Sequence, residues 1–148
     1  MNIINLYRLA HWLFLIKIPL LPKLFYYVQF LIFNSSVPYK CKIGKNTKFA
    51  YGGIGVVIHA RTEIGENCLV GQGVTIGGKA NLHKAPKIGN FVYMAAGSRI
   101  IGDITIGNNV VIGVNAVVNK SVPDNCVVAG IPAKIIKRDI DIMDYMDV

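Results

Sequence analysis

The sequence predicts an all-β domain of short parallel strands coiled into a prism, preceded by a short helical segment. Three observations predict it. From Ile43 onward the chain acquires a period of six: aliphatic residues, one Met included, recur at Ile58, Ile64, Val70 and Ile76, then at Ile88, Met94, Ile100, Ile106, Ile112 and Val118, and Leu82 keeps the step between Ile76 and Ile88. The next residue is often glycine (Gly44, Gly65, Gly71, Gly77, Gly89, Gly107, Gly113), and the fourth after the aliphatic is small or β-branched (Thr47, Thr62, Cys68, Val74, Val92, Ser98, Ile104, Val110, Ala116). The first 38 residues lack this period and are greasy, aromatic and punctuated by prolines.

A period of six fits neither a helix face, which repeats at about 3.6 residues, nor an alternating strand, which repeats at two. It fits one short strand plus one turn, with the aliphatic residue inward and Gly, Asn or Asp at the corner. Three such units close a triangular coil of roughly eighteen residues, and stacked coils bury an aliphatic column that no single coil could bury alone. Residues 40–130 therefore predict about five coils of a parallel β-helix. The organisation expected is a helical segment at 1–38, the β-helix at 39–138 and a tail at 139–148.

In the first segment, Asn5 is expected to cap a helix through Leu6, Leu9, Leu13 and Ile16. Pro19 ends that helix by removing a backbone donor and clashing with the preceding turn. Leu21–Phe33 reads as a second short helix opened by Pro22. Two such helices are not a domain and must pack on something. The first reading is the main domain or a sister subunit, with His11 as a packing residue. The second is peripheral contact with a membrane surface, which Trp12, Phe14, Tyr26, Tyr27 and the nearby Lys and Arg would suit. Lys17, Pro19, Pro22 and Lys23 interrupt the apolar run and no small-residue cleavage site follows it, so neither a signal peptide nor a membrane span is expected.

The 148 residues are 53% hydrophobic and 16% charged, enough apolar material for a core and too little charge for disorder. The net charge of +8 favours anionic partners. Lys and Arg are scattered and nucleic-acid motifs are missing, so no nucleic-acid partner is expected. Cys41, Cys68 and Cys126 are far apart, odd in number and outside any CxxC or Cys/His spacing. They read as reduced, buried thiols of a cytoplasmic protein, with no metal.

The segments IGENCLVGQGVTIGG, IGNFVYMAAGSRIIGDITIGNNVVIGVNAVV and VVAGIPAKIIK together resemble the hexapeptide-repeat acyltransferases. The likeness is nearest to serine acetyltransferases and to the related O-acetyltransferases of surface polysaccharides, and it covers roughly residues 40–138. It implies a left-handed winding, where parallel crossovers are otherwise right-handed. It also implies a homotrimer with active sites between subunits and acetyl-CoA as donor.

The period breaks at FAYGGIGVVIHARTEIG, and His59 follows the inward Ile58 there. The resemblance makes His59 the catalytic base. A hydroxyl attacks a thioester poorly unless its proton is removed during attack, and a neutral imidazole suits that task at pH 7. Such a base contributes about 10²–10⁴-fold, roughly 3 to 5.5 kcal/mol of barrier. In the family a His stands directly before Pro-Lys-Ile. Here Ala85 holds that place and His83 lies two residues earlier, an expected substrate contact with an exposed turn His as the alternative. The resemblance assigns the cofactor groove to Gly77 and Gly78, to Ala95, Ala96 and Gly97, and to Val114, Asn119, Lys120, Lys134 and Lys137. The small residues would let the pantetheine arm approach the backbone, and the lysines would meet its phosphates.

Serine acetyltransferases carry an Asp before the catalytic His, suited to the amino group of serine; here Ile58 occupies that place. With the displaced His83 and the short apolar N-terminus, this favours a saccharide acceptor in capsule, exopolysaccharide or O-antigen synthesis. A serine or other small-molecule acetyltransferase is the alternative, and a non-catalytic β-helix scaffold a third reading. A zinc-dependent relative would need three converging histidines, and the repeat holds only His59 and His83. The tail DIDIMDYMDV reads as a capping segment or a frayed end.

Overall fold

The computed structural model describes residues 2–79 and 84–146. Two helices, α1 (Ile3–Leu15) and α2 (Leu21–Phe33), precede the strands β1 (Lys42–Ile43), β2 (Lys48–Phe49), β3 (Val57–Ile58), β4 (Glu63–Ile64), β5 (Leu69–Val70) and β6 (Thr75–Gly77). After these come β7 (Lys87–Ile88), β8 (Val92–Met94), β9 (Arg99–Ile101), β10 (Thr105–Ile106), β11 (Val110–Ile112), β12 (Val117–Val118), β13 (Cys126–Gly130) and β14 (Ala133–Arg138). They form three parallel faces. Face A is β3, β6, β9 and β12; face B is β1, β4, β7 and β10; face C is β2, β5, β8, β11 and β13, with β14 added antiparallel.

The register confirms the inward step. On face A, Ile58 stacks on Ile76, Ile76 on Ile100 and Ile100 on Val118. On face B the stack is Ile43, Ile64, Ile88 and Ile106. On face C it is Phe49, Val70, Met94, Ile112 and Val128. All belong to one buried column. The expected count of about five coils fits the register: face C has five parallel strands before the chain reverses into β14, and isolated parallel bridges of Ser36 with Val57 and of Ile106 with Val122 extend the four strands of faces A and B.

Leu82 lies outside the described residues. Ile76 on face A is followed by Ile88 on face B, so the coil from Ile76 to Ile100 takes six residues more than the one from Ile58 to Ile76.

The corners follow from the side chains placed there. Asn46, Asn67, Asn109, Asn115 and Asn125 all adopt left-handed φ of 54–57°, a conformation that Asn tolerates far better than β-branched residues do. Between faces B and C, the backbone N–H of Glu66 donates to Asn90 Oδ1, that of Asn90 to Asn108 Oδ1 and that of Asn108 to Asp124 Oδ1, each at 2.8 Å. One rung thus satisfies donors of the rung below it.

α1 is capped by Asn2 rather than Asn5, three residues earlier than expected. The Asn2 side chain accepts from the Ile4 N–H at 3.2 Å and donates to the Phe49 carbonyl at 2.9 Å, so the cap also ties the helix to the prism. The Tyr7 hydroxyl donates to the Cys41 carbonyl at 2.7 Å, and Arg8 donates to the carbonyls of Ile43 and Gly44 at 2.9 and 2.6 Å. His11 donates from Nδ1 to the Tyr39 carbonyl at 2.7 Å and stacks on Tyr7, a packing role. Packing on the main domain therefore holds for α1. The tail is not frayed where it is described: Ile140, Ile142 and Met146 are buried against Val111 and Val127 on the outside of face C.

Candidate functional site

His59 stands at the corner directly after β3, where its backbone N–H donates to the Ile76 carbonyl at 2.8 Å. Its side chain lines an open groove of about 510 Å³ together with Lys40, Lys42, Arg61, Thr62 and Glu63. Lys42 and Glu63 form an exposed ion pair at 3.5 Å. Arg61, Lys40 and Lys42 were not singled out from sequence. The signal available was register: Lys42 lies beside Glu63 on face B, which brings the rung before His59 to the same corner.

His59 Nδ1 accepts the backbone N–H of Arg61 at 3.2 Å. The neutral ring therefore carries its proton on Nε2, and in this rotamer it offers the groove a donor. Base catalysis at Nε2 needs the other tautomer, which gives up that one hydrogen bond at a cost of about 0.5–1.5 kcal/mol. No carboxylate among the described residues is hydrogen-bonded to the ring.

Gly78 lies against the imidazole. A Cβ at that position would come within 3.0 Å of the Lys84 carbonyl oxygen and 3.7 Å of His59 Cδ2 and Nε2. A side chain at this position would be squeezed between the Lys84 backbone and the imidazole, so the close approach of the two requires glycine. Beyond it the same corner continues into hollows of about 410 Å³ lined by Lys84, Lys87 and Asp103, and of about 460 Å³ lined by Lys79, Ile101 and Asn119. Cations dominate this edge, and the Lys84–Asp103 pair at 3.0 Å neutralises only one of them.

The structure divides the expected cofactor residues. Gly77, Gly78, Asn119 and Lys120 share the corner between faces A and B with His59. Ala95, Ala96, Gly97 and Val114 lie at the next corner, between faces C and A, with the whole of face A between the two groups. Ala95 is buried and can offer a ligand only its backbone. Gly97 is required by the fold itself, since its φ is 70° and a Cβ there would collide with the Asn115 side chain. Val114 is exposed. Lys134 and Lys137 lie on β14, at the end of face C. Lys137 donates to the Tyr145 hydroxyl at 3.2 Å and sits over its ring, so it is already engaged. A single chain does not gather the ten residues into one groove. His83 lies outside the described residues.

Ile58 corrects the argument drawn from it. Its side chain is in the buried column, stacked on Ile76. The Ile58 side chain does not line the His59 groove, so by itself it does not argue for a saccharide acceptor. Among the described residues no group of three or more His, Cys, Asp or Glu is placed to hold a metal.

No protein-family model matches the chain. A serine acetyltransferase of Synechococcus elongatus is 36% identical over 143 residues, covering 95% of the chain and 58% of that protein. The crystal structure of a Brucella abortus serine acetyltransferase in complex with coenzyme A superposes with a TM-score of 0.86 at 31% identity, over 91% of the chain and 54% of its own. The Neisseria gonorrhoeae serine acetyltransferase in complex with serine gives a TM-score of 0.84 at 29% identity, over 90% and 55%. The chain thus spans about half the length of the relatives it matches, from the helices before the β-helix to its end. The fold is the left-handed parallel β-helix of these structures, with two short helices ahead of it.

Proposed function

Since the chain belongs to the hexapeptide-repeat acyltransferases, in their serine-acetyltransferase-like form, we propose that it transfers an acetyl group from acetyl-CoA to a hydroxyl, with L-serine as acceptor. The observation that carries this reading is the match to serine acetyltransferases along 95% of the chain, with an imidazole and a bare glycine edge at a cationic corner inside the matched region.

In the proposed mechanism the acceptor oxygen attacks the thioester carbonyl while His59 Nε2, in its Nδ1–H tautomer, takes the hydroxyl proton. The tetrahedral intermediate collapses by breaking the carbon–sulfur bond, and the same proton passes to the departing sulfur. Direct transfer follows from the thiols: Cys41, Cys68 and Cys126 are all buried, and burial raises each above the ordinary thiol value, so none is a ready nucleophile. The pantetheine arm would pass along this corner, and Lys79 and Lys120 suit its phosphates. His83 remains a candidate acceptor contact.

A homotrimer supports the site's completion. The corner carrying Ala96, Gly97 and Val114 would meet the His59 corner of a neighbour, joining the two groups that one chain keeps apart. We place the enzyme in the cytoplasm, in keeping with three unpaired thiols. No helix among the described residues is long and apolar enough to cross a membrane.

A saccharide acceptor is the second reading. With the Ile58 argument removed, it rests on the exposed apolar helices, which suit an enzyme working beside a membrane.

The test is acetyl-CoA consumption by the purified chain with L-serine and, separately, with sugar nucleotides and polysaccharide. Consumption with saccharide and not with L-serine would overturn the acceptor. His59→Ala should lower kcat/KM by about 10²–10⁴-fold. His59→Gln keeps a donor at the groove but cannot take a proton, so full activity in that variant would make the ring a donor and not a base.

A further inference from the structure

The hairpin of α1 and α2 faces outward with its apolar side, and we propose that this face docks on an anionic lipid surface. α2 is inside-out for a helix in water. Apart from its tyrosines, its only polar residues are Lys23 and Gln29. Gln29 is 0% exposed, and neither its Oε1 nor its Nε2 has a hydrogen-bond partner. Meanwhile Leu31 is 82% exposed, and Leu24, Phe30 and Ile32 are each more than half exposed. A helix that is apolar all round belongs in an apolar environment, and one side of α2 finds none within the chain. The loop tip continues the patch, with Leu20 80% exposed, and α1 adds Trp12 and Leu15.

Charge selects the occupant. Lys17 and Lys23 flank the exposed tip, and no Asp or Glu occurs in the chain before Glu63. Arg8, the hairpin's third cation, is spent on the carbonyls of the prism. A second copy docked hairpin to hairpin would set these lysines against each other with no carboxylate on either hairpin to pair them. Anionic headgroups supply that negative charge, and the acyl boundary takes the leucines and aromatics between the lysines. Thirteen helical residues reach about 20 Å, short of the roughly 30 Å of a bilayer core, so the helices lie in the interface and do not span it. Tyr27, beneath Lys23 at 5.9 Å, adds an aromatic ring of the kind that settles at headgroup level.

The test is co-sedimentation of the full chain with unilamellar vesicles of phosphatidylcholine alone and of phosphatidylcholine with phosphatidylglycerol, without acetyl-CoA. Binding is expected to the mixed vesicles and to fall at least tenfold with Lys17→Glu/Lys23→Glu. Leu24→Ser/Leu31→Ser, at sites too exposed to unsettle the fold, should weaken it comparably. Failure to bind the mixed vesicles, or undiminished binding by both double variants, overturns the proposal. So does a change of oligomeric state in Leu24→Ser/Leu31→Ser without vesicles, which would make the face a contact between copies. Because the readout is sedimentation, it stands or falls independently of the acceptor.

Discussion

The prism and the hairpin are both rich in aliphatic residues, yet they treat them in opposite ways. In the prism Ile76, Ile100, Ile106 and Ile112 are wholly buried, each stacked on an equivalent residue one coil away. In the hairpin Leu15, Leu24, Leu31 and Ile32 are exposed while Gln29 is enclosed. The difference is one of closure. A six-residue step returns each aliphatic to the same inward direction, so burial is a property of the repeat. A helix that is apolar on all sides has no preferred direction, and a single prism face can cover only one of them.

This comparison can be broken or sharpened by experiment. The largest effect is expected at Ile100→Ala, in the middle of the face A stack, which should cost about 2–5 kcal/mol of unfolding free energy in urea titrations. A small effect there would mean that the column tolerates cavities and that the repeat is not what holds the prism.

Next comes the seam between the two regions. Tyr7→Phe leaves the Cys41 carbonyl without its buried donor and should cost about 1–3 kcal/mol. If the loss is negligible, α1 is not fastened by this bond.

The same seam predicts alkaline sensitivity. Burial first, only partly offset by the Tyr7 hydrogen bond, lifts the Cys41 thiol from 9.0 to about 12. Burial likewise raises Tyr7 above its ordinary 10.0, with the Cys41 charge adding to it. A raised acid favours the folded state fully below its unfolded value and loses that contribution as pH climbs toward the folded one. Thermal stability should therefore hold up to pH 9 and decline as pH rises from there toward about 12, while the native thiols resist a disulfide reagent at pH 7.5. Rapid labelling of native Cys41 at pH 7.5 would contradict the burial.

The smallest effect is expected at Leu31→Ala, where the change in unfolding free energy should stay within about 0.5 kcal/mol. A larger loss would show that the outer face of α2 already has an intramolecular partner.

Much of the prism was legible in the sequence because each rung repeats one local solution: an inward aliphatic, then a turn residue that accepts a left-handed backbone. One misreading came from setting the period aside. Ile58 was weighed as a substrate-facing residue although its place in the period marked it as inward. The Asn2 cap escaped because Asn5 is an equally good local candidate, and only the Phe49 carbonyl decides between them. Of the site, His59 stood out by interrupting the glycine pattern, whereas its neighbours Lys40 and Lys42 are contributed by the preceding coil.

By itself the sequence determined the period, the inward column, the parallel stacking and the break that carries His59, because these depend on spacing and on side-chain type alone. Only the tertiary structure decided which corners those residues occupy, that face A separates the two groups assigned to the cofactor, which nitrogen of His59 is taken by Arg61, and which side of α2 is left uncovered. Those outcomes depend on how many residues each coil spends: the coil from Ile76 to Ile100 is six residues longer than the one from Ile58 to Ile76, and such a difference moves every later side chain around the prism without disturbing the hydrophobic pattern that specifies it.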